Sequence, residues 1–283
     1  MKNKTIVFFS FKAVLIVCLM LFSFGCATSK AIIPMDKAYS QQLMQYPIAV
    51  IVLVPNKNLF FWEGLYKVFA IQTISNEFTF EGIWDPTPVF KDMSIQMLRT
   101  KFNLKAFPLQ EKLAPDTYNK LIADLGSSFS EAASESVTTT KRRFGADPQI
   151  LWIARTGLGG GRNGASGQEM VEYIKTSPLK HIHSQKESLT GHAVLEFYIT
   201  GIGIQGPPYT LLLVVYTRLS RPTDGAVIWA NMGIGASRLE DLKGFPELEK
   251  NNLALLKEHY EKALVGLLNP ENPNNLFKDF LSK

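Results

Sequence analysis

The sequence predicts a single α/β (α+β-like) domain with a mixed sheet of about five or six strands and helices on at least one face. In the first half, apolar runs alternate with helical periodicity, which is typical of a partly parallel sheet. Between residues 193 and 234, apolar and polar residues alternate with period two, which predicts antiparallel strands. With 283 residues, 46% hydrophobic and 19% charged, the composition excludes disordered and polytopic membrane proteins.

In the first half of the domain, the sequence predicts a strand, an insertion, a helix and a second strand. The apolar run 48–54 is stopped by Pro55 and suits a strand buried on both faces. Asp85 and Pro86 provide an N-cap and a first-turn proline for a helix. A short strand at 104–109 follows. The segment 56–84 is predicted to be an insertion between the first strand and this helix.

In the second half of the domain, the sequence predicts another helix and then mainly strands. Pro115 begins a helix whose apolar face extends to Phe129, and 149–155 suits a further buried strand. The three strands of the 193–234 region follow, the last two joined by a turn at 221–225. A long helix over 247–268 completes a domain at 47–268, which leaves 269–283 as a C-terminal tail.

Residues 1–25 have the form of a secretory signal peptide. Lys2 and Lys4 give a positive start, and an uncharged apolar run extends from Ala13 to Phe24. This run is shorter than the roughly 20 residues of a membrane-spanning helix, but it suits the apolar region of a signal peptide.

The end of this segment, Ser23-Phe24-Gly25-Cys26, resembles the lipobox of bacterial lipoproteins. The resemblance implies cleavage before Cys26, diacylglycerol on its sulfur, and acylation of its new amino group by a fatty acid such as palmitate. Ser23 departs from the leucine usual at that position, and Cys18 fits less well because bulky Val17 precedes it. The alternative is a plain apolar anchor in which Cys26 is incidental. Residues 26–46 are expected to form a lipidated tether.

The residue after Cys26 bears on the destination of the protein. In the family's sorting pattern an aspartate there signals retention in the inner membrane, whereas this chain has Ala27. The resemblance therefore implies the outer membrane, with the domain facing the periplasm. Cys18 and Cys26 are the only cysteines, so the mature domain has no thiol beyond residue 26 for a disulfide, a nucleophile or a metal cluster.

The net charge gives no reason to expect a nucleic-acid partner. Lys2, Lys4 and Lys12 lie in the signal segment, which holds no Asp or Glu, so the net charge of +5 falls to +2 without it. Binding to nucleic acid would require a large basic patch.

At fold level, the arrangement resembles the periplasmic domains of envelope lipoproteins and export proteins. These include the curli-secretion lipoprotein, the amino-terminal domain of the Tol translocation protein, and auxiliary lipoproteins of export systems. The likeness rests on the Pro47–Pro55 strand, the Asp85 helix and the hairpin from Tyr209 to Ile234. It implies a role in an envelope complex, although fold likeness alone does not transfer an activity.

Two motifs suggest chemistry. Gly159, Gly161 and Gly164 match the spacing of a dinucleotide fingerprint, but no amphipathic helix follows, so we expect a loop without a cofactor. His181 and His183 would project to one side of a strand, and His192 could complete an open zinc site. Exposed loop histidines are the simpler interpretation.

An aromatic segment within the insertion is the candidate contact surface. Leu59, Trp62, Tyr66 and Phe69 would share one face of a helix, with Phe60 beside them. Such a face can enter a bilayer interface, dock a partner or belong to the core.

The sequence thus predicts a lipoprotein that assists an envelope complex without catalysis or a cofactor. Its expected partners are membrane lipid, through acylated Cys26, and an envelope protein, contacted by the 56–84 insertion and the 157–190 loops. The alternatives are a metal-assisted periplasmic hydrolase that uses the three histidines, and a carrier of a small ligand.

Overall fold

The computed structural model describes residues 31–35, 37–55, 57–63, 73–144, 183–248, 253–272 and 275–281. Within them the helices are α1 (Lys37–Leu43), α2 (Thr87–Lys101), α3 (Pro115–Phe144) and α4 (Ala254–Leu268). The strands are β1 (Ile48–Leu53), β2 (Asn58–Glu63), β3 (Thr73–Thr79), β4 (Ala106–Pro108), β5 (Ala193–Gly206), β6 (Thr210–Arg221) and β7 (Ala226–Arg238). Short 3-10 helices form at Leu109–Glu111 and Phe245–Glu247. No helix in these ranges has both the length and the apolarity to cross a bilayer.

The seven strands form one mixed sheet organised along β5. The first half of β5 pairs in parallel with β1, and its second half pairs in parallel with β2. On its other edge β5 pairs with β6 throughout, and β6 pairs with β7, both antiparallel. Beyond β1 lies parallel β4, and beyond β2 lies antiparallel β3. Two short strand pairs therefore follow one another along a three-stranded meander.

Helices cover both faces of the sheet. Strand β1 is therefore apolar at every position. Its residues are all buried, and they alternate between two hydrophobic clusters. Helices α2 and α4 cover the face of Ile48, Val50 and Val52. Helix α3 covers the face of Ala49 and Ile51 through residues such as Leu121, Leu125 and Phe129. The predicted single α/β domain with a mixed sheet is confirmed.

The additional strands come from the 56–84 insertion, which corrects our expectation of an aromatic helical face. Residues 58–63 form strand β2, and Leu59, Phe60 and Phe61 are all buried. A short run of adjacent aromatic residues suits a strand covered on both faces as well as it suits a helix. The backbone pairing of residues 59–63 with β5 favours the strand over the helix.

The long helices differ from the prediction only at their ends. Helix α3 continues through Phe144, and α4 begins at Ala254, after the left-handed Leu253. The strand predicted at 149–155 lies outside the described residues.

The described residues of both segments that were expected to be peripheral pack on the domain. Ile33 bridges Ala230 of β7, and the side chains of Ala31, Met35 and Leu43 are buried, although 26–46 is predicted to be a tether. Leu276, Phe277 and Phe280 of the predicted tail are also buried. Phe277 and Phe280 pack on Trp229, so apolar burial holds this segment in place.

A charged pair lies inside the sheet layer. The Nε–H of Arg218 in β6 is shared between the two carboxylate oxygens of Glu196, at 3.1 Å each, Nη2 donates to Oε2 at 3.0 Å, and both side chains are buried. Tyr198 and Ser220 donate further hydrogen bonds to the same carboxylate. Removing one partner of such a pair is costly, because it strands the other charge away from water. The pair therefore fixes how β5 and β6 align.

Gly235 provides a direct test of how closely α4 packs on β7. A Cβ atom at Gly235 would lie 2.8 Å from the carbonyl oxygen of Ala263, which is backbone and cannot rotate away. We expect Gly235→Ala to lower the free energy of unfolding by roughly 1–3 kcal/mol in urea titrations. Gly126→Ala on α3, where a Cβ meets nothing within 4 Å, should be neutral or stabilising. Equal stability of Gly235→Ala and the natural protein would contradict the packing.

Candidate functional site

A deep cavity lies at the carboxyl end of β1. Its volume is about 580 Å³, and we name it the β1 cleft. It is bounded by the end of β1, the turn that follows β3, the start of α2 and the first half of α3. The lining residues are Val52, Leu53, Val54, Pro55, Lys57, Phe80, Glu81, Gly82, Ile83, Trp84, Asp85, Pro86, Thr87, Tyr118, Asn119, Ile122 and Gly126.

The topology of the sheet explains why a cleft opens at this position. Strands β1 and β4 are parallel neighbours. The chain that leaves β1 leads, after the β2–β3 hairpin, to α2 on one face, and the chain that leaves β4 leads to α3 on the other. Connections that diverge in this way leave a crevice beyond the carboxyl ends of the strands, which is a preferred place for ligands in α/β proteins.

One wall of the cleft is the tight turn at 80–84. The amides of Ile83 and Trp84 both donate to the carbonyl of Phe80, and Gly82 takes the left-handed conformation that the turn requires, with φ +75°. The Trp84 ring packs against Phe80 and edge-on against Tyr260 of α4. These contacts fix the turn, while the side chain of Ile83 remains 44% exposed.

Lys57 and Glu81 form a charged rim. The ammonium of Lys57 lies 2.6 Å from Oε1 of Glu81, and the carbonyl of Lys57 accepts the amide of Phe80 at 2.9 Å. Both charged side chains are more than half exposed, so the ion pair contributes little stability. The two charges therefore remain accessible to a bound molecule.

Asp85 joins the helix start to the cleft. Its Oδ1 accepts the amide of Thr87 at 2.9 Å, which confirms the predicted cap, and Pro86 already has helical dihedral angles. Burial, and next the Asp85 carboxylate, raise the pKa of Tyr118 across the cleft. The same two causes raise the pKa of buried Tyr260, whose hydroxyl donates to the carbonyl of Pro86.

The edge of β1 contributes backbone groups. Among the described strands, β4 pairs with β1 only as far as Val50. The amide of Ile48 donates to Lys105 on the β4 side, and alternate residues of a strand turn their peptide groups the same way. Val52 therefore turns its N–H and C=O towards the cleft. Apolar walls, a polar rim and a backbone edge suit an extended peptide.

The predicted contact residues do not form a surface in the described region. Phe60 is 6% exposed, within the sheet, and Trp62 belongs to the same strand. Tyr66 and Phe69 lie outside the described residues, as does Cys26. The insertion nonetheless contributes to the site, through the turn at 80–84.

Two of the three predicted metal ligands are described. His183 Nδ1 lies 3.1 Å from the carbonyl oxygen of Pro222, and His192 Nδ1 lies 2.9 Å from that of Thr190, so each ring donates there. His181 lies outside the described residues, within which no group of three metal-ligating side chains forms. A zinc site that uses all three remains a prediction.

A histidine that the sequence did not single out contacts a serine. Ser237 Oγ lies 2.8 Å from His259 Nδ1, across the contact between β7 and α4. Burial, and next the charge of Lys262, lower the pKa of His259, which favours the neutral ring in this hydrogen bond. Helical spacing along 254–268 places His259 on the buried face, but it does not indicate its partner. The pair joins the helix to the sheet and does not line the β1 cleft.

Comparison with known proteins identifies no family. No family model matches the chain, and no curated protein matches it. Among solved structures, the crystal structure of lipoprotein GNA1162 from Neisseria meningitidis aligns with 9% identity and a TM-score of 0.28. The alignment covers 75% of this chain and 96% of that one. This TM-score is too low to define a common fold, so the function rests on the residues of this chain.

The charge of Asp85 can be separated from its capping role. Asp85→Asn keeps a capping side chain but removes the charge, so we expect the pKa of Tyr118 to fall while remaining raised by burial. Asp85→Ala also removes the cap and should cost about 1 kcal/mol of stability. Titration of labelled tyrosine by NMR, with Tyr118→Phe for assignment, measures the pKa. An unchanged pKa in Asp85→Asn would place the carboxylate away from the ring.

Proposed function

We propose that the protein is a periplasmic lipoprotein, anchored in the outer membrane through acylated Cys26, that assists an envelope complex by holding a partner protein. The lipobox-like Ser23-Phe24-Gly25-Cys26, placed after a positive start and an apolar run, carries the proposal. Several acyl chains would hold the protein firmly, because one chain alone binds a membrane only marginally.

The position of the first described residues supports an anchor at Cys26. Ala31 is the first described residue, and its amide donates to Oδ2 of Asp279 at 2.9 Å. Ile33 then exchanges two backbone hydrogen bonds with Ala230, at 3.0 Å each. An acylated Cys26 would therefore be only five residues from the point where the chain is fixed to the domain.

The β1 cleft supports a protein partner. An extended segment could pair with Val52 and place an apolar side chain between Ile83 and Ile122, both of which line the cleft. Lys57 and Glu81 at the rim would select charges of that segment. Catalysis is not needed for this role.

The two cysteines provide a matched test of the anchor. We expect cells fed labelled palmitate to label the natural protein and the Cys18→Ala variant, and the label to disappear in Cys26→Ala. Mass spectrometry of the mature N-terminus should find the first residue at Cys26 with a diacylglyceryl group and an amide-linked acyl chain. A label retained in Cys26→Ala, or a mature protein that begins elsewhere, would overturn the anchor.

Two exposed apolar residues test the partner site. Ile83 lines the cleft, whereas Val265 lies on α4 and is 57% exposed. With a tag after Lys283 and crosslinking in cells, we expect Ile83→Asp to reduce capture of a discrete partner by roughly tenfold. Val265→Asp should capture it as the natural protein does.

The outcome that contradicts a partner at the cleft is equally definite. A partner captured as well by Ile83→Asp as by Val265→Asp would exclude the cleft as its binding site. Loss of the partner in Cys26→Ala, where the membrane anchor is removed, is expected if the complex assembles at the membrane.

A further inference from the structure

Strand β7 has a long edge that carries no neighbouring strand. On its inner edge β7 pairs with β6 along its whole length. On its outer edge the described residues provide a single partner, Ile33, which exchanges two hydrogen bonds with Ala230 at 3.0 Å each. Within the part of the chain that the structure describes, the outer edge of residues 232–238 therefore has no strand beside it.

The bridge at Ala230 shows which peptide groups of this edge point outward. Both the N–H and the C=O of Ala230 are directed away from β6, towards Ile33. The register of β7 with β6 is regular from Trp229 onward, and alternate residues of a strand turn their peptide groups the same way. The residues that direct both groups outward beyond the bridge are Met232, Ile234, Ala236 and Arg238.

The other outer edges of the sheet are less open to a further strand. Strand β4 has three residues and ends in Pro108, and β3 carries the charge of Glu77. Short strands, prolines and charged side chains are the means by which proteins prevent pairing at an edge. From Ala230 to Ser237, β7 has neither a proline nor a charged residue. Its outer edge is therefore the one that a second strand can join.

The side chains beside this edge leave room for a second strand. Ala236 is exposed, whereas Met232 and Ile234 are half-buried on the face that α3 covers. On the other face, α4 turns Tyr260 towards the start of α2, where the hydroxyl donates to a backbone carbonyl. Helical spacing places Gly266 on the opposite side of α4, and a Cβ atom there would meet nothing within 4 Å.

The free stretch of β7 is complementary to itself. A two-fold axis perpendicular to the sheet places the same edge of two copies side by side and makes the two strands antiparallel. With this axis at Gly235, Ile234 lies opposite Ala236 of the second copy, and Met232 lies opposite Arg238 of the second copy. All the outward peptide groups of both stretches are then paired.

The two ends of the free stretch fit the same arrangement. At one end Ile33 already occupies the edge at Ala230, and at the other end β7 stops at Arg238. The strand of a second copy would therefore end where Ile33 begins, so that both partners fill the outer edge without overlap. This match in length favours a second copy of the chain as the occupant.

We propose that the protein forms a two-fold symmetric dimer through the outer edge of β7, in which residues 232–238 of two copies pair antiparallel and join the two sheets into one. The inference does not depend on the acylation of Cys26. It leaves both β1 clefts open, because β5 and β6 lie between β1 and β7.

The first test is the mass of the full chain in detergent, measured by sedimentation. At about 100 μM, a dimer with a micromolar Kd is almost fully paired, so we expect twice the protomer mass. Ala236→Pro removes an outward N–H, at an edge position where proline is tolerated, and should give the protomer mass. Ala236→Ser keeps the N–H and should remain dimeric. Circular dichroism checks that each variant is folded.

The second test places one new thiol on the edge of the otherwise natural chain. In the dimer the Cα atoms of the two Ala236 residues are diagonal neighbours, roughly 8 Å apart. Those of the two Arg238 residues are roughly 20 Å apart, because each further residue adds about 3.3 Å on both strands. A short bifunctional maleimide should therefore link Ala236→Cys to itself but not Arg238→Cys, although both residues are exposed. The chain without a new thiol reveals any linking through Cys18 or Cys26.

Each result supports or overturns the dimer. A natural protein of protomer mass, or an Ala236→Pro variant that is folded and still dimeric, would overturn it. Equal linking at positions 236 and 238 would also overturn it, because the antiparallel register keeps the two Arg238 positions apart. If Ala236→Pro does not fold, the linking experiment alone decides.

Discussion

The pairing of strand β5 along its whole length is the constraint on which the rest of the structure depends. One edge of β5 holds β1 and then β2, while the other holds β6, so the sheet can form only if these strands share one register. The buried pair of Glu196 and Arg218 aligns β5 with β6, because a shift of β6 by one residue would turn Arg218 to the opposite face and leave Glu196 buried without its partner. Every helix then packs on a sheet whose geometry is already set.

The same arrangement separates two kinds of surface. Beyond Val50, β4 no longer pairs with β1, and the β1 cleft lies next to this unpaired edge, beside the turn at 80–84. Strands β1, β4 and β5 begin at the opposite end, beside the exposed loop at 44–47.

The sequence predicted the elements with strong periodicity, and it failed where tertiary contacts decide. The run at 48–54, the helix capped by Asp85 and the late meander all form as predicted, since burial and local capping point to one structure in each. Residues 58–63 became a strand because an available edge of β5 outweighed helical spacing. The cleft joins β1, the 80–84 turn, α2 and α3, and no local pattern indicates that assembly. Likewise, residues 31–46 have no sustained period, so the sequence does not indicate that Ile33 pairs with β7.

The contact between Asp279 and Ala31 determines when the first described segment becomes fixed to the domain and which bonds hold it there. These residues are 248 positions apart, so Ala31 can be fixed in this way only after Asp279 has been synthesised. A pulling force on the lipid would be carried first by this contact and by the two hydrogen bonds between Ile33 and Ala230, rather than by the centre of the sheet. A chain cut before Asp279 would therefore lose the contact that holds Ala31, and its first described segment would pack less firmly on the domain.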